Sequence, residues 1–549
     1  MVARKLVLGV FLCLLGTTAL ATTRSPRLGG PEFCNLQRLS ATQPAQRLEF
    51  EGGSIETWDV NDEQFQCVGV APMRKTIQPN SLFLPSFHPF PRIVFIEEGE
   101  GIIGVHFPGC AETFDTGVVG QQQQEWPRKM GQQGQEEEQV FDMSTDSHQK
   151  VRRFRRGDII AIPAGAVYWT YNDGNQEVVS ISINDVNNPA NQLDMQARSF
   201  FLAGGSTSSQ SVQGQRHPTR TQQQQGGSFD FLNIFAGFDT ELLAEAFNTD
   251  PEIVRSMQEP GNRGFIVKVQ QPMQFVTPDE EQEGQTPFER RRQGGGVASN
   301  GLEETICSAK LLYNLDNQRE ADIFSRQAGK LNTVNEHKLP ILSLLDLSAE
   351  KGHLQQNALF SPHWPINSHV VVYVLRGDAH VQIVSNSGEA VFDEQVNKGD
   401  VFVVPQFFAA VSRAGQNGFE WVAFKTNKSP MKSPLAGYTS VFRAMPLEVI
   451  TASYDVSPTQ AQNLKTNRET ESNNGRHQER FEVASNFTTR TPLSNIYNVN
   501  GESHIPIFDL TSEEELRDQQ IHKQLTSGAT KDYLDHGDQT FVCTMCHAQ

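Results

Sequence analysis

Apolar and polar positions along this chain follow a pattern that occurs twice. The segment GDIIAIP (Gly157 to Pro163) returns as GDVFVVP (Gly399 to Pro405). In both, a Gly-Asp turn signal precedes four apolar residues, mostly β-branched, and a proline closes the run, which predicts a buried strand. Upstream, IVFIEEGEGIIGV (Ile93 to Val105) matches VVYVLRGDAHVQI (Val371 to Ile383), with turns predicted at Gly99 and Gly377. Asn80-Ser81-Leu82-Phe83 likewise matches Asn357-Ala358-Leu359-Phe360. The same elements in the same order mean a duplicated unit.

Each β region is followed by a helical stretch with matching anchors, Ala236-Gly237-Phe238 against Ala436-Gly437-Tyr438 and Asp250-Pro251 against Ser457-Pro458. Asp or Ser before Pro predicts an N-cap with proline in the first helical turn. The fold class is therefore mainly β, two modules each followed by a small helical region. Strands at short, even spacing predict a jelly roll or closed barrel, which also removes exposed strand edges.

At 549 residues the chain can bury two cores of ordinary domain size. Residues 1–21 have the three parts of a secretory signal peptide: MVARK, the apolar run LVLGVFLCLLG and the small-residue site before a cut between Ala21 and Thr22. That run is too short to span a bilayer and nothing downstream is longer, so no membrane span is expected. The formal net charge of −18 excludes nucleic acid as a partner, because phosphate binding needs a basic surface.

Of seven cysteines, Cys13 leaves with the signal peptide. Cys34, Cys67, Cys110 and Cys307 form an even set in an oxidising compartment, and the sequence leaves their three possible pairings open. The Gly99 to Gly157 interval is 36 residues longer than its counterpart, Gly377 to Gly399, so the first module carries an insertion. Residues 111–147, 204–227 and the linker 278–299 are polar, glutamine-rich or glycine-rich tracts that predict solvated loops. Residues 476–549 read as a disordered extension, with an acidic helix-like run from Ser512 to Leu525. Asn427 and Asn486 each begin a glycosylation sequon.

Three motifs suggest chemistry. Gly99, Gly101 and Gly104 spell GxGxxG, but a strand continues where a dinucleotide site needs a helix, so a hairpin is the better reading. Cys543, Cys546 and His547 spell CxxCH at the extreme C-terminus, outside both modules, where no pocket for a haem is evident. The third candidate is a metal, because small β-barrels often hold one on three or four converging ligands.

The duplicated modules resemble the cupin family, whose metal sits on two histidines and a glutamate of one strand pair and a third histidine of another. Those places hold Pro85, Phe87, Arg92 and Tyr168 in the first module, and His363, Pro365, Val370 and Ala410 in the second. Gly157, Pro163, Gly165 and Asn172 keep the frame of the second cupin motif, and Gly399 and Pro405 keep part of it, with Phe407 and Ala414 replacing a glycine and an asparagine. His88 and His369 fall one residue out of step, which in a strand turns a side chain to the other face. No metal, cofactor or catalytic residue is therefore expected, and apolar side chains should fill both barrels.

A narrower resemblance rests on NGLEETICSAKL (Asn300 to Leu311), FCNLQRLSATQPAQR (Phe33 to Arg47), IETWDVND (Ile55 to Asp62) and FKTNKSPMKSPLAGYTSVFRAMP (Phe424 to Pro446). These blocks look like those of legumin-type (11S) globulins, the plant seed storage proteins, a common class of allergens. The resemblance implies two cupin modules, residues 22–300 as an acidic chain and 301–475 as a second chain, cut between Asn300 and Gly301 by an asparaginyl endopeptidase. It also implies a Cys34–Cys67 pair, a Cys110–Cys307 pair across the cut, and trimers that become hexamers, with itself or with related globulins. The implied route runs through the endoplasmic reticulum to the protein storage vacuole. Two features depart from the pattern: the second chain is not basic, and the 476–549 extension runs past the family's usual end. The competing readings are a bicupin metalloenzyme acting on oxalate and a sugar-binding cupin.

Overall fold

The computed structural model describes residues 34, 36–112, 114–115, 147–206, 231–259, 263–273, 275, 306–317, 321–325, 328–437, 440–474 and 507–508. Ala21, Thr22, Asn300, Gly301, Asn486, the 512–525 run and the CxxCH motif lie outside them.

The first module is two antiparallel sheets packed face to face. One sheet runs in the order Gln46–Phe50, Gly53–Thr57, Val70–Ile77, Val178–Asp185, Arg92–Glu98, Asp158–Ile162, Leu312–Asn314. The other runs Phe200–Phe201, Ser81–Phe87, Val167–Asn172, Glu100–His106, Val151–Arg155, with Ile266–Lys268 also paired to Ser81–Phe87. From Val70–Ile77 to Glu100–His106, and again from Val151–Arg155 to Val178–Asp185, successive strands alternate between the two sheets, as in a jelly roll. The repeated GDIIAIP segment supplies the strand Asp158–Ile162, between Arg92–Glu98 and Leu312–Asn314, every residue of which is buried, because its β-branched side chains meet packed neighbours on both faces.

The second module repeats the plan, with Val370–Val384 and Ala409–Lys425 each long enough to pass from one face of the sandwich to the other. Equivalent hydrogen bonds confirm the duplication. The Gly157 amide donates to Ile96 at 2.9 Å, and the Gly399 amide to Val374 at 2.9 Å. Asn80 and Asn357 both adopt left-handed backbone, at φ of 55° and 58°, a conformation asparagine tolerates.

The turns expected at Gly99 and Gly377 are not hairpins. Arg92–Glu98 and Glu100–His106 do not pair with each other, and Gly377 sits inside a single strand at a break in register. Both glycines have positive φ, 83° and 72°, and a side chain there would strike the Glu177 or the Gly418 carbonyl. They bend one strand from sheet to sheet, a role that period-2 patterning does not distinguish from a turn.

Helix starts fall where the caps predict. Asp250 accepts from the Glu252 amide at 2.8 Å ahead of Pro251–Gln258, and Ser457 accepts from the Gln460 amide at 3.3 Å ahead of Pro458–Asn474. Each such cap stabilises its helix by about 1 kcal/mol.

The modules exchange backbone. Leu312–Asn314, beyond the Asn300 junction, completes the first module's sheet through Asp158–Ile162. In return, Thr42 and Val401 exchange amide hydrogen bonds at 2.9 Å, and the Leu39 amide donates to Val391 at 2.8 Å. Within the extension, Ile507–Phe508 form a short parallel ladder with Leu359–Phe360.

Candidate functional site

The two barrel interiors can be compared position by position, because the strands that line them correspond. Val94, Ile103 and Ile162 in the first take the places of Val372, Val381 and Val404 in the second. The polar positions differ. Arg92 faces into the first barrel where Val370 faces into the second, Tyr168 where Ala410 does, and Ser180 and Ser182 where Trp421 and Ala423 do. The remaining cavities are small, about 20 Å³ and 50 Å³.

Apolar filling, expected from the sequence, is thus only part of the interior. In the first barrel Lys75 and Arg92 are buried with Tyr168 between them. Arg92 Nη1 donates to the Tyr168 hydroxyl, and Lys75 Nζ lies 3.5 Å from the same oxygen and 3.1 Å above the Phe83 ring. Burial, then the nearby Arg92 charge, pulls the Lys75 ammonium well below its ordinary value.

The second barrel buries an ion-pair triad. Lys425 Nζ lies 2.6 Å and Lys432 Nζ 2.9 Å from Glu350 Oε2. Burial alone would push the Glu350 carboxyl up, but the two ammoniums outweigh it and hold it well below the usual range. Burial pulls Lys432 down to about 8 despite Glu350, and pulls His363, which also faces Lys432, down to about 4. Sequence reasoning missed Lys75, Glu350, Lys425 and Lys432. The signal was available in strand parity: Lys75 shares a face with Ile77, and Glu350 with Leu354.

These residues do not fit a divalent cation. In the first barrel the inward polar groups are cationic, phenolic or hydroxyl, with no carboxylate or imidazole among them. In the second, the imidazole of His363 is bonded through Nδ1 to the Ser361 carbonyl at 2.9 Å, and the carboxylate is occupied by two lysines. Among the described residues no three His, Cys, Asp or Glu side chains converge. His88 departs from its expected place: instead of lying on the outer face it is buried, with Nε2 2.9 Å from Ser199 Oγ and its ring 5.7 Å from that of Tyr168. It follows the end of the Ser81–Phe87 strand, where alternation no longer fixes direction. His369 accepts from the Gln406 amide at 3.2 Å.

Among the described residues, the aromatic rings that a sugar site would use are engaged with one another or stand apart. Trp169 donates to His106 Nε2 at 2.7 Å and stacks on Phe275 at 5.0 Å, and Phe83 stacks on Tyr168 at 5.6 Å. Phe407, in the position of the motif glycine, is exposed and held at a φ of 66°, close to the 76° of Gly165.

Of the three cysteine pairings, the structure forms Cys34–Cys67 and Cys110–Cys307, the latter joining residues 197 apart on either side of the junction segment. The Asn427 amide is buried and donates to the Asn367 carbonyl at 3.2 Å, so its sequon offers no free nitrogen in the folded chain.

Comparison with known proteins agrees with this geometry. The Cupin family model matches residues 39–208 and 313–462. The 11S globulin seed storage protein 2 of Sesamum indicum is 51% identical over 473 residues, 86% of this chain and 98% of the relative. Solved structures of the coconut allergen cocosin and of procruciferin, the 11S globulin of Brassica napus, superpose with TM-scores of 0.65, at 37% and 36% identity. They cover 79% and 80% of this chain and 97% of each neighbour. Among the described residues no helix is long and apolar enough to cross a membrane.

Proposed function

This chain belongs to the 11S seed storage globulins of the cupin family, and from that membership we propose a maturation route in which proteolysis leaves a covalently joined, densely packed reserve. The protein is a nutrient reservoir. Its signal peptide is removed between Ala21 and Thr22, an asparaginyl endopeptidase cuts between Asn300 and Gly301, and Cys110–Cys307 then links the two chains. The product is held in the storage vacuole and has no catalytic activity of its own.

One observation carries this reading: the exchange of backbone and disulfide across the junction. After a cut at Asn300, the strand Leu312–Asn314 still completes the partner sheet, and the Cys110–Cys307 bond still joins the products. Assembly into trimers and then hexamers, with itself or related globulins, is favoured by apolar side chains left exposed on the helices of both modules. Leu242, Phe247 and Ile253 stand on the first set and Val449, Tyr454 and Leu464 on the second.

Electrophoresis of seed protein with and without reductant, followed by N-terminal sequencing, tests the route. Two bands that appear only after reduction, one beginning at Gly301, support it. A single uncut chain in mature seed, or two chains that separate without reductant, would overturn it.

A further inference from the structure

We propose that the N-terminal barrel holds one small inorganic monoanion of chloride size between Lys75, Arg92 and Tyr168. This inference is independent of the storage role. It starts from a charge imbalance. Arg92 is 2% exposed and Lys75 8%, and among the described residues neither has a carboxylate partner. Only Nη1 of the Arg92 guanidinium is bonded, to Tyr168; its buried Nε and Nη2 have no partner.

An arginine keeps its charge in a protein even when buried. A lysine can escape the cost of burial by releasing its proton, and the proximity of Arg92 favours that release. Discharging Lys75 still leaves two guanidinium nitrogens and one positive charge unanswered, and unpaired buried charge is among the costliest features a core can carry. The second barrel shows the ordinary solution, in which Glu350 answers Lys425 and Lys432. The first barrel has no such acid: the strand position corresponding to Glu350 is Met73.

The cavity sets the size of the missing partner. At about 20 Å³ it takes one body of water or halide size, and neither an oxyanion such as phosphate nor an organic acid. Its wall brings the Thr170, Ser180 and Ser182 side chains to the same space, and hydroxyls can turn their protons toward an anion. A halide there would accept from Arg92 Nε and Nη2, keep Lys75 protonated and rest against the apolar walls. Water is the competing occupant; it would satisfy the N–H groups without answering the charge.

The test is a crystal of the mature oligomer grown with bromide in place of chloride, with data collected at the bromine edge. An anomalous peak inside the barrel, within hydrogen-bond reach of Arg92 Nε or Nη2, is the expected result. An ordered water with no anomalous signal at that point, or bromide bound only on the surface, overturns the proposal. Thermal unfolding supplies a second readout. At constant ionic strength, replacing gluconate by chloride should raise the Tm of the unaltered protein, and this rise should vanish in Arg92→Met, which removes the fixed charge and both unpartnered nitrogens. A rise of equal size in both proteins would contradict the assignment. If the variant fails to fold, the bromide map of the unaltered protein decides.

Discussion

The two barrels share a backbone plan and opposite solutions to internal charge. In the C-terminal barrel, Glu350 sits between Lys425 and Lys432, and all three are buried or nearly so. In the N-terminal barrel, Lys75 and Arg92 share only a phenol oxygen. A duplicated scaffold with other residues at most of the cupin metal positions is thus not simply filled with hydrocarbon. The strands preserve the inward direction of each position, and the residues placed there settle charge locally. One barrel does so with its own acid, and the other leaves room for a small counter-ion.

The largest effect that could break this contrast is Glu350→Gln. It strands two buried ammoniums and should cost about 3–5 kcal/mol, read as a fall in denaturation midpoint or Tm. A loss below 1 kcal/mol would mean the triad is not the internal ion pair described here. Next is the acid side. His363 is held near 4 against an ordinary value of about 6.5. Between those values only the unfolded chain takes up the proton, so stability falls as pH drops through that window, by up to about 3 kcal/mol. Further acidification costs the depressed Glu350 its charge, so its contribution, complete above the ordinary carboxyl range, is lost below it. His363→Phe should flatten the pH dependence of Tm between 6.5 and 4. An unchanged slope would move its origin elsewhere.

The third test inverts the first. Lys75→Met removes a buried cation without stranding an acid, so in chloride-free buffer it should be neutral or stabilising by about 1 kcal/mol. A loss as large as that of Glu350→Gln would erase the distinction between the barrels. The smallest effect concerns corresponding loops: Phe407 occupies left-handed backbone that Gly165 occupies in the other copy. Phe407→Gly should therefore stabilise by about 1 kcal/mol, measured in denaturant. Gly165→Phe should destabilise by a similar amount or more.

Much of the fold was legible because its signals are local. The repeated Gly-Asp-apolar-Pro segments gave two of the buried strands, and Asp250-Pro251 and Ser457-Pro458 gave the helix starts. The bends at Gly99 and Gly377 were not legible, because a glycine between two apolar runs reads the same whether the chain reverses or passes to another sheet. For the interior, motif comparison located Arg92, Tyr168 and His363 but treated the first two as vacancies in a metal site and the third as its one remaining ligand. Their partners come from other strands: Lys75 from Val70–Ile77, Glu350 from Ser348–Leu354, Lys432 from Lys432–Pro434. Convergence of that kind depends on register across sequence separations that periodicity does not span. The exchange of Leu312–Asn314 into the first sheet is of the same kind, since a three-residue strand carries little pattern of its own.

The storage reading is tested most directly by elemental analysis of the protein, purified without chelator, alongside an assay for oxalate breakdown. Divalent metal far below one ion per chain and no turnover are expected, since cations line the first interior and lysines engage the carboxylate of the second. One manganese ion bound per chain, with oxalate consumed, would contradict it.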